Sequence, residues 1–173
     1  MKRVRRLKLK ERTAENVHTA FVGEAKASQR LLMFAKKAEE ERLPQIAHLF
    51  RAVAAAESVH SRRHFGLLEA VADTQTNLER AFQSEETVSG VHYPKMVQEA
   101  EEDGETAAAI VFSQARDVEE GHANLYRKAL NHLIAQRSMQ YHVCSVCGLV
   151  AEREPPETCP VCGAVRSKFE KID

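Results

Sequence analysis

The chain's four cysteines all fall between residues 144 and 162, as Cys144-Ser-Val-Cys147 and Cys159-Pro-Val-Cys162. A Cys-x-x-Cys turn lets two thiolates approach one ion from a tight loop, and two such turns close a tetrahedral shell of four sulfurs around iron or zinc. Gly148 and Gly163 each follow the second cysteine of a turn, where a residue tolerating positive φ is useful. Two disulfides are the competing use of four cysteines, but nothing else in the chain looks secreted, so a metal site is expected. The quartet defines a small module and leaves about 140 residues upstream of it to be explained.

A chain of 173 residues allows one ordinary domain plus such an appendage. Apolar residues make up 43% and charged residues 29%, with a formal net charge of zero, so no global field draws the chain to nucleic acid or to a membrane surface. Before residue 89 the helix breakers are Gly23, Pro44 and Gly66, which suits long helices. The basic start, Met1-Lys-Arg-Val-Arg-Arg-Leu-Lys-Leu-Lys10, lacks the apolar core of a signal peptide and reads as a solvated lead-in. No run approaches the roughly 20 apolar residues of a spanning helix. The cytoplasm is the expected compartment.

Apolar residues recur at helical spacing through Val17, Phe21, Ala25, Leu31, Leu32 and Ala35, and again through Ile46, Leu49, Phe50, Val53, Val59, Leu67, Leu68 and Val71. Pro44 sits near the start of the second run, where proline is tolerated. Thr76 with Glu79 reads as a capping box opening a third helix at about residue 77, bent by Pro94 and ended by Asp103-Gly104. A fourth runs through Ile110, Phe112, Ala115, Val118, Tyr126, Leu130 and Leu133; after Gln136 the pattern breaks, and the cysteine module begins at about Tyr141. The expected fold is an all-α four-helix bundle over residues 1–137 with a small metal module over 138–173.

The two halves of the helical region resemble each other. Phe21-Val-Gly-Glu24 is followed 33 residues later by Glu57-Ser-Val-His60, and Phe82-Gln-Ser-Glu85 is followed 34 residues later by Glu119-Glu-Gly-His122. Ala38-Glu-Glu corresponds to Ala100-Glu-Glu, and Phe50 to Phe112. Two helical hairpins related by a pseudo-twofold axis produce this pattern.

Glu24, Glu57, Glu85 and Glu119 each fall on the apolar stripe of their own helix. Unpaired buried carboxylates cost several kcal/mol each, so four of them call for a cation. In each Glu-x-x-His pair, residues three apart share a face and point both ligands at one spot. One Glu from each of two helices plus a Glu-x-x-His from each of the other two is the di-iron carboxylate arrangement of helical bundles. A single Glu-x-x-His is most often an exposed polar pair; duplication at matched spacing is what turns the reading to metal.

Taken together, Ala20-Phe-Val-Gly-Glu24, Ile46-Ala-His-Leu-Phe50, Glu57-x-x-His60, Asn77-Leu, Tyr93-Pro94, Glu119-x-x-His122 and the four-cysteine tail resemble the rubrerythrin family over nearly the whole chain. The resemblance implies a ferritin-like di-iron bundle joined to a rubredoxin-like Fe(Cys)4 domain, and the reduction of hydrogen peroxide to water. It implies that Glu57 and Glu119 bridge two irons, with Glu24 and His60 terminal on one and Glu85 and His122 on the other. It also implies a homodimer, head-to-tail or domain-swapped, in which one subunit's Fe(Cys)4 centre serves the other's di-iron site, and a separate redox protein as electron donor. Two positions depart from the family. A further glutamate expected three residues after Glu85 is Val88, which cannot ligate, and a family tyrosine on the first helix is Leu31. In the family the extra carboxylate and the first-repeat histidine exchange at one iron with redox state, so Val88 puts that exchange in question.

Candidates to replace it are His92, one turn beyond Val88, and Glu86, about 100° around the helix from Glu85. His64 continues the Glu57–His60 face and reads as packing; His18, His48, His132 and His142 read as ordinary surface or interface residues. Glu39–Glu41 and Glu99–Glu102 read as solvated helix ends. Tyr93 is a candidate hydrogen-bond donor beside the cluster, with core packing an equally good reading. Carboxylates and imidazoles suit Fe(II) and leave positions open, while an iron held by four cysteines is closed and carries one electron. The leading expectation is a peroxide reductase fed through the tail. The alternatives are an O2-using ferroxidase, which the ligand set without the extra glutamate favours, and a non-catalytic metal-binding protein with zinc in its tail.

Overall fold

The structure is a computed structural model that describes residues 9–68, 70–131 and 139–173. The chain divides into two compact units, Met1–Ala72 and Asp73–Asp173.

The first unit is a helical hairpin of α1 (Glu11–Glu40) and α2 (Pro44–Leu67). Its seam is not made of the large residues that dominate the apolar stripe. The buried residues are Ser28, Ala35 and Ala38 on α1 and Ala47 and Ala54 on α2. Small side chains let the helices approach closely enough for the Ser28 hydroxyl to donate to the Ala54 carbonyl at 2.9 Å. The larger Leu32, Leu49, Val53 and Val59 stay exposed in the single chain.

The second unit opens with α3 (Thr74–Thr87), continues without a break into a five-residue π turn (Val88–His92) and then α4 (Tyr93–Glu102), and returns along α5 (Thr106–Leu130). The expected capping box is corrected here. The cap is Asp73, whose carboxylate accepts both the Thr76 N–H at 3.0 Å and the Thr76 hydroxyl at 2.8 Å, so the helix starts three residues earlier than Thr76–Glu79 implied. The π turn ends where the Tyr93 N–H reaches back five residues to the Val88 carbonyl. Pro94, expected to bend the helix, follows it at the second position of α4, where a missing N–H is tolerated.

The repeat is visible in the turns. Leu43 N–H donates to Ala38 O and Glu105 N–H to Ala100 O, both at 2.8 Å, around a left-handed residue that is Arg42 in one hairpin (φ 61°) and Gly104 in the other (φ 75°). From Glu57 and Glu119 back to the starts of α2 and α5 the two hairpins match residue for residue. The mismatch lies on the outgoing arm, where Glu85 stands one residue further from the end of α4 than Glu24 does from the end of α1. That arm carries the π turn.

The tail is a three-stranded antiparallel sheet of β1 (Tyr141–Cys144), β2 (Val150–Glu152) and β3 (Phe169–Ile172), ordered β2-β1-β3. Cys144, Cys159 and Phe169 are its buried core. The expected end of the fourth helix, with Leu133, Gln136 and His132, lies outside the described residues, as does the basic N-terminus.

Candidate metal centres

The tail brings the four cysteine sulfurs together. All Sγ atoms lie within 4.8 Å of one another, with Cys144 to Cys162 at 3.7 Å and Cys147 to Cys159 at 3.6 Å. A tetrahedral ion with sulfur at about 2.3 Å has an edge of about 3.8 Å, so the quartet fits iron or zinc. Each turn is closed by a backbone hydrogen bond, Gly148 N–H to Cys144 O at 2.8 Å and Gly163 N–H to Cys159 O at 2.9 Å. Both glycines take the positive φ expected of them, 86° and 74°. Burial pushes the Cys144 thiol up, but the N–H groups of Cys147 and Val146 and the neighbouring thiols outweigh it and bring it down to about 7. Cys147 goes the other way, pushed up to about 12 chiefly by burial. The loop N–H groups thus already favour a first thiolate before an ion arrives.

In the first hairpin Glu24, Glu57 and His60 place one ligand atom each within 4.8 Å of the others. His60 Nδ1 stands 3.0 Å from Glu57 Oε2 and 3.9 Å from Glu24 Oε1. Hydrogen bonds from Glu24 and then His60 hold the Glu57 carboxyl below its usual value.

In the second hairpin His122 Nδ1 stands 2.8 Å from Glu119 Oε2. Its other nitrogen, Nε2, lies 3.3 Å from the Gly148 carbonyl of the tail. With the Nε2 proton donated to that carbonyl, a neutral imidazole turns a bare Nδ1 toward a carboxylate oxygen. In that tautomer Nδ1 is left as a ligand atom beside Glu119 Oε2, and a carbonyl behind the other nitrogen is the usual outer partner of a ligating histidine; with the proton on Nδ1 the same contact is a hydrogen bond to Glu119. Glu85 belongs to the same half by its electrostatics, although its ligand atoms do not close on Glu119 and His122 as tightly as the first hairpin's trio closes. Burial first, and then the charge of Glu119, push its carboxyl above the ordinary range, while His122 pulls the other way. A carboxyl raised by a neighbouring carboxylate is one that a shared cation would relieve. The donors of the first half-set, Glu24, Glu57 and His60, lie close enough together to hold a metal ion.

The tail seats on its own chain's α5. A Cβ on Gly121 would lie 3.9 Å from Leu149, a Cβ on Gly148 would lie 3.9 Å from Val118, and Lys128 pairs with Glu152. The Gly148 carbonyl as partner of His122 had no signal in the side-chain pattern, because a backbone group supplies it.

The other candidates separate clearly. Glu86 points to Arg127 at 3.2 Å, and that guanidinium lies over the Phe82 ring. His92 is exposed, while Val88 and Leu31 are partly buried. Tyr93 packs its ring on Phe112 at 6.3 Å. His18 is exposed, edge-on to Phe21, His48 is exposed, and His64 is partly buried. His142 belongs to the tail sheet, with a buried Nδ1 that has no partner among the described residues. Glu39–Glu41, Glu99, Glu101 and Glu102 are exposed, as expected of solvated helix ends.

Carboxylate–histidine pairs on helical hairpins, joined to a tetrathiolate module, define the class of helical carboxylate metalloproteins. The comparisons carry this further. The rubrerythrin family model matches residues 15–130, and the model described as the rubrerythrin rubredoxin-like domain matches residues 142–170. The chain belongs to the rubrerythrin family, whose members are oxidoreductases with a di-iron site and an iron-binding domain of four cysteines. It is 32% identical to nigerythrin of Nitratidesulfovibrio vulgaris over 91% of this chain and 85% of that one. It is 30% identical to a rubrerythrin of Porphyromonas gingivalis over 93% and 90%. Solved structures of nigerythrin in a mixed-valence state and in a fully reduced, all-ferrous state align with TM-scores of 0.57 and 0.55, at 29% and 30% identity, over 99% of this chain and 92% of theirs. Among the described residues no helix is long and apolar enough to cross a membrane.

Proposed function

We propose that this chain is a peroxide reductase, turning hydrogen peroxide into water with electrons that enter at the tetrathiolate module. The observation that carries the reading is the 3.3 Å approach of His122 Nε2 to the Gly148 carbonyl. Gly148 follows Cys147 directly, so one such contact and a short run of backbone separate a thiolate ligand from an imidazole ligand.

Glu57 and Glu119 would be shared by two irons, with Glu24 and His60 holding one and Glu85 and His122 the other. Cys144, Cys147, Cys159 and Cys162 hold the third. Two irons held by the carboxylates and histidines would supply the two electrons that cleave the O–O bond, and an iron on the four cysteines would return them one at a time. The balance is one peroxide, two electrons and two protons to two waters. The chain's own part is positional. Glu119 and the Gly148 carbonyl fix the His122 ring from both nitrogens, and Tyr93, held by Phe112, offers a hydroxyl as hydrogen-bond donor. The working division is residues 1–137 for the bundle and 138–173 for the tail. The setting is a cytoplasmic homodimer served by a separate electron-donor protein.

A second reading has one observation in its favour. Val88 removes the extra carboxylate, and Glu86, engaged with Arg127, does not stand in for it, which leaves a ferritin-like set of four carboxylates and two histidines. An O2-using ferroxidase would have that set. Stopped-flow oxidation of the fully reduced protein separates the two. Peroxide is expected to react at least tenfold faster than O2 at equal concentration, and equal rates would refute the reductase. The same samples show strong visible absorption if iron fills the tail and none if zinc does.

A further inference from the structure

The two histidines of the carboxylate set are held in different ways. The His60 side chain is 50% exposed, and its ring meets Glu57 at 3.0 Å and Glu24 at 3.9 Å through one nitrogen, Nδ1. Its other nitrogen has no partner among the described residues. The His122 side chain is 24% exposed and engaged on both sides, with Nδ1 2.8 Å from Glu119 and Nε2 3.3 Å from the Gly148 carbonyl. A carbonyl behind a ligating imidazole orients the ring and fixes the nitrogen that faces the ion. Loss of such a partner costs about 10- to 100-fold in metal affinity.

The tail's first cysteine turn is what places that carbonyl. Gly148 follows Cys147, its N–H closes the turn onto Cys144 O at 2.8 Å, and Leu149 O accepts from the Cys144 N–H at 2.9 Å. With a core of only Cys144, Cys159 and Phe169, the module owes its order to the ion that its cysteines hold. Emptying the four cysteines therefore takes the backing from His122, whereas His60 has no such backing to lose. The other donors repeat the asymmetry. Glu24, Glu57 and His60 stand within 4.8 Å of one another inside their own hairpin, and Glu85 does not close on Glu119 and His122 in this way.

We propose that Gly148 is a positioning residue through which the tail's ion controls one half of the carboxylate centre. The ion on His122 is held firmly only while the four cysteines are filled, and the ion on His60 is held alike with the tail full or empty. Such coupling is reciprocal, so an ion on His122 tightens the tail's hold on its own metal by the same factor. A chain that lacks its electron relay is then left with one firmly held iron, while cleaving a peroxide draws on two. The inference rests on the two-iron reading and adds to it the dependence of one iron on the tail.

Equilibrium titration with Mn(II), a hard cation that prefers oxygen and imidazole to thiolate, tests this without any turnover. The full-length protein carries zinc on its four cysteines, and the free Mn(II) is read by electron paramagnetic resonance. The parent is expected to take up two Mn(II) per chain. In Cys144→Ser with Cys159→Ser, one of the two should bind about 10- to 100-fold more weakly and the other within twofold of the parent. His122→Ala should remove the ion that weakens and His60→Ala the one that does not. Gly121→Leu keeps the zinc but drives a side chain into Leu149, 3.9 Å from the Cβ position, and lifts the turn off α5. It should weaken the same ion, and it decides alone if circular dichroism shows the double cysteine variant unfolded. Two ions that weaken together, two that do not weaken, or a Gly121→Leu protein with parental affinity at both overturns the proposal and leaves the two-metal reading standing. A parent that takes up no Mn(II) sinks that reading, and this inference with it.

Discussion

Gly148→Ala and Gly163→Ala impose the same change on two copies of one turn. Both glycines have left-handed φ, 86° and 74°, a region that costs an L-residue about 1–2 kcal/mol. Space adds nothing to that cost. A Cβ on Gly163 would meet no atom within 4 Å, and one on Gly148 would meet Val118 Cγ1 at 3.9 Å, an ordinary contact. The module has a small core of Cys144, Cys159 and Phe169, so its metal and its folding are tied, and strain in the fold is read as lost affinity. At about 1.4 kcal/mol per factor of ten, each variant should bind its tail metal about 5- to 30-fold more weakly. Chelator competition on the full-length protein measures this for zinc, and decay of the visible absorption measures it for iron. Gly66→Ala, in the last turn of α2 with nothing within 4 Å, is the control and should leave the affinity unchanged. Unchanged affinity in both tail variants would refute the link from φ to strain to binding. A loss confined to Gly148→Ala would show that the seat on α5, and not the turn, limits the site.

Three further outcomes are expected. Glu57→Ala or Glu119→Ala should lose both carboxylate-bound irons and keep the tetrathiolate one, as read by metal analysis beside the visible spectrum. In the metal-free protein, Glu85 is raised above its ordinary value of 4.5, so its contribution to stability is present at low pH and is lost as pH rises through its folded-state pKa. Glu85→Gln should therefore melt at a higher temperature than the parent near pH 7, with the gap closing toward pH 4, by circular dichroism; no gap at pH 7 refutes the raised carboxyl. Ala54→Leu, at a nearly fully buried point of the α1–α2 seam, should destabilise by about 1–3 kcal/mol through overpacking and the strained Ser28 hydrogen bond. A smaller cost means that the helices part more easily than their alanine seam implies.

What could be read from residues alone follows from how local the physics is. Each Cys-x-x-Cys turn and each Glu-x-x-His pair brings two ligands together within a few residues, so spacing alone places each pair. The start of the third helix is harder to read because Thr76-x-x-Glu79 and Asp73 compete for the same N–H groups, and a carboxylate that takes both the N–H and the hydroxyl of Thr76 wins. The apolar stripe locates the right faces of α1 and α2 but not the seam. Periodicity weights a residue by its size, whereas closely packed helices select alanine. The seat of the tail depends on a backbone carbonyl, which carries no residue identity. The π turn does leave a trace, the spacing of 34 in the second repeat against 33 in the first.

That extra residue has a consequence for how this helix tolerates change in length. In an unbroken α-helix, one added residue turns everything beyond it by about 100°, which would carry Tyr93, Val97 and Ala100 off the side that meets α5. A π turn takes up the surplus within five residues, so both flanking stretches keep their faces. Removing one residue from Val88–His92 should therefore restore plain helix without disturbing Glu85 on one side or Ala100 on the other. A helix interior is ordinarily the worst place for a deletion; here it is a slack point, and the stretch that holds Val88 is free to vary in length while its neighbours stay in phase.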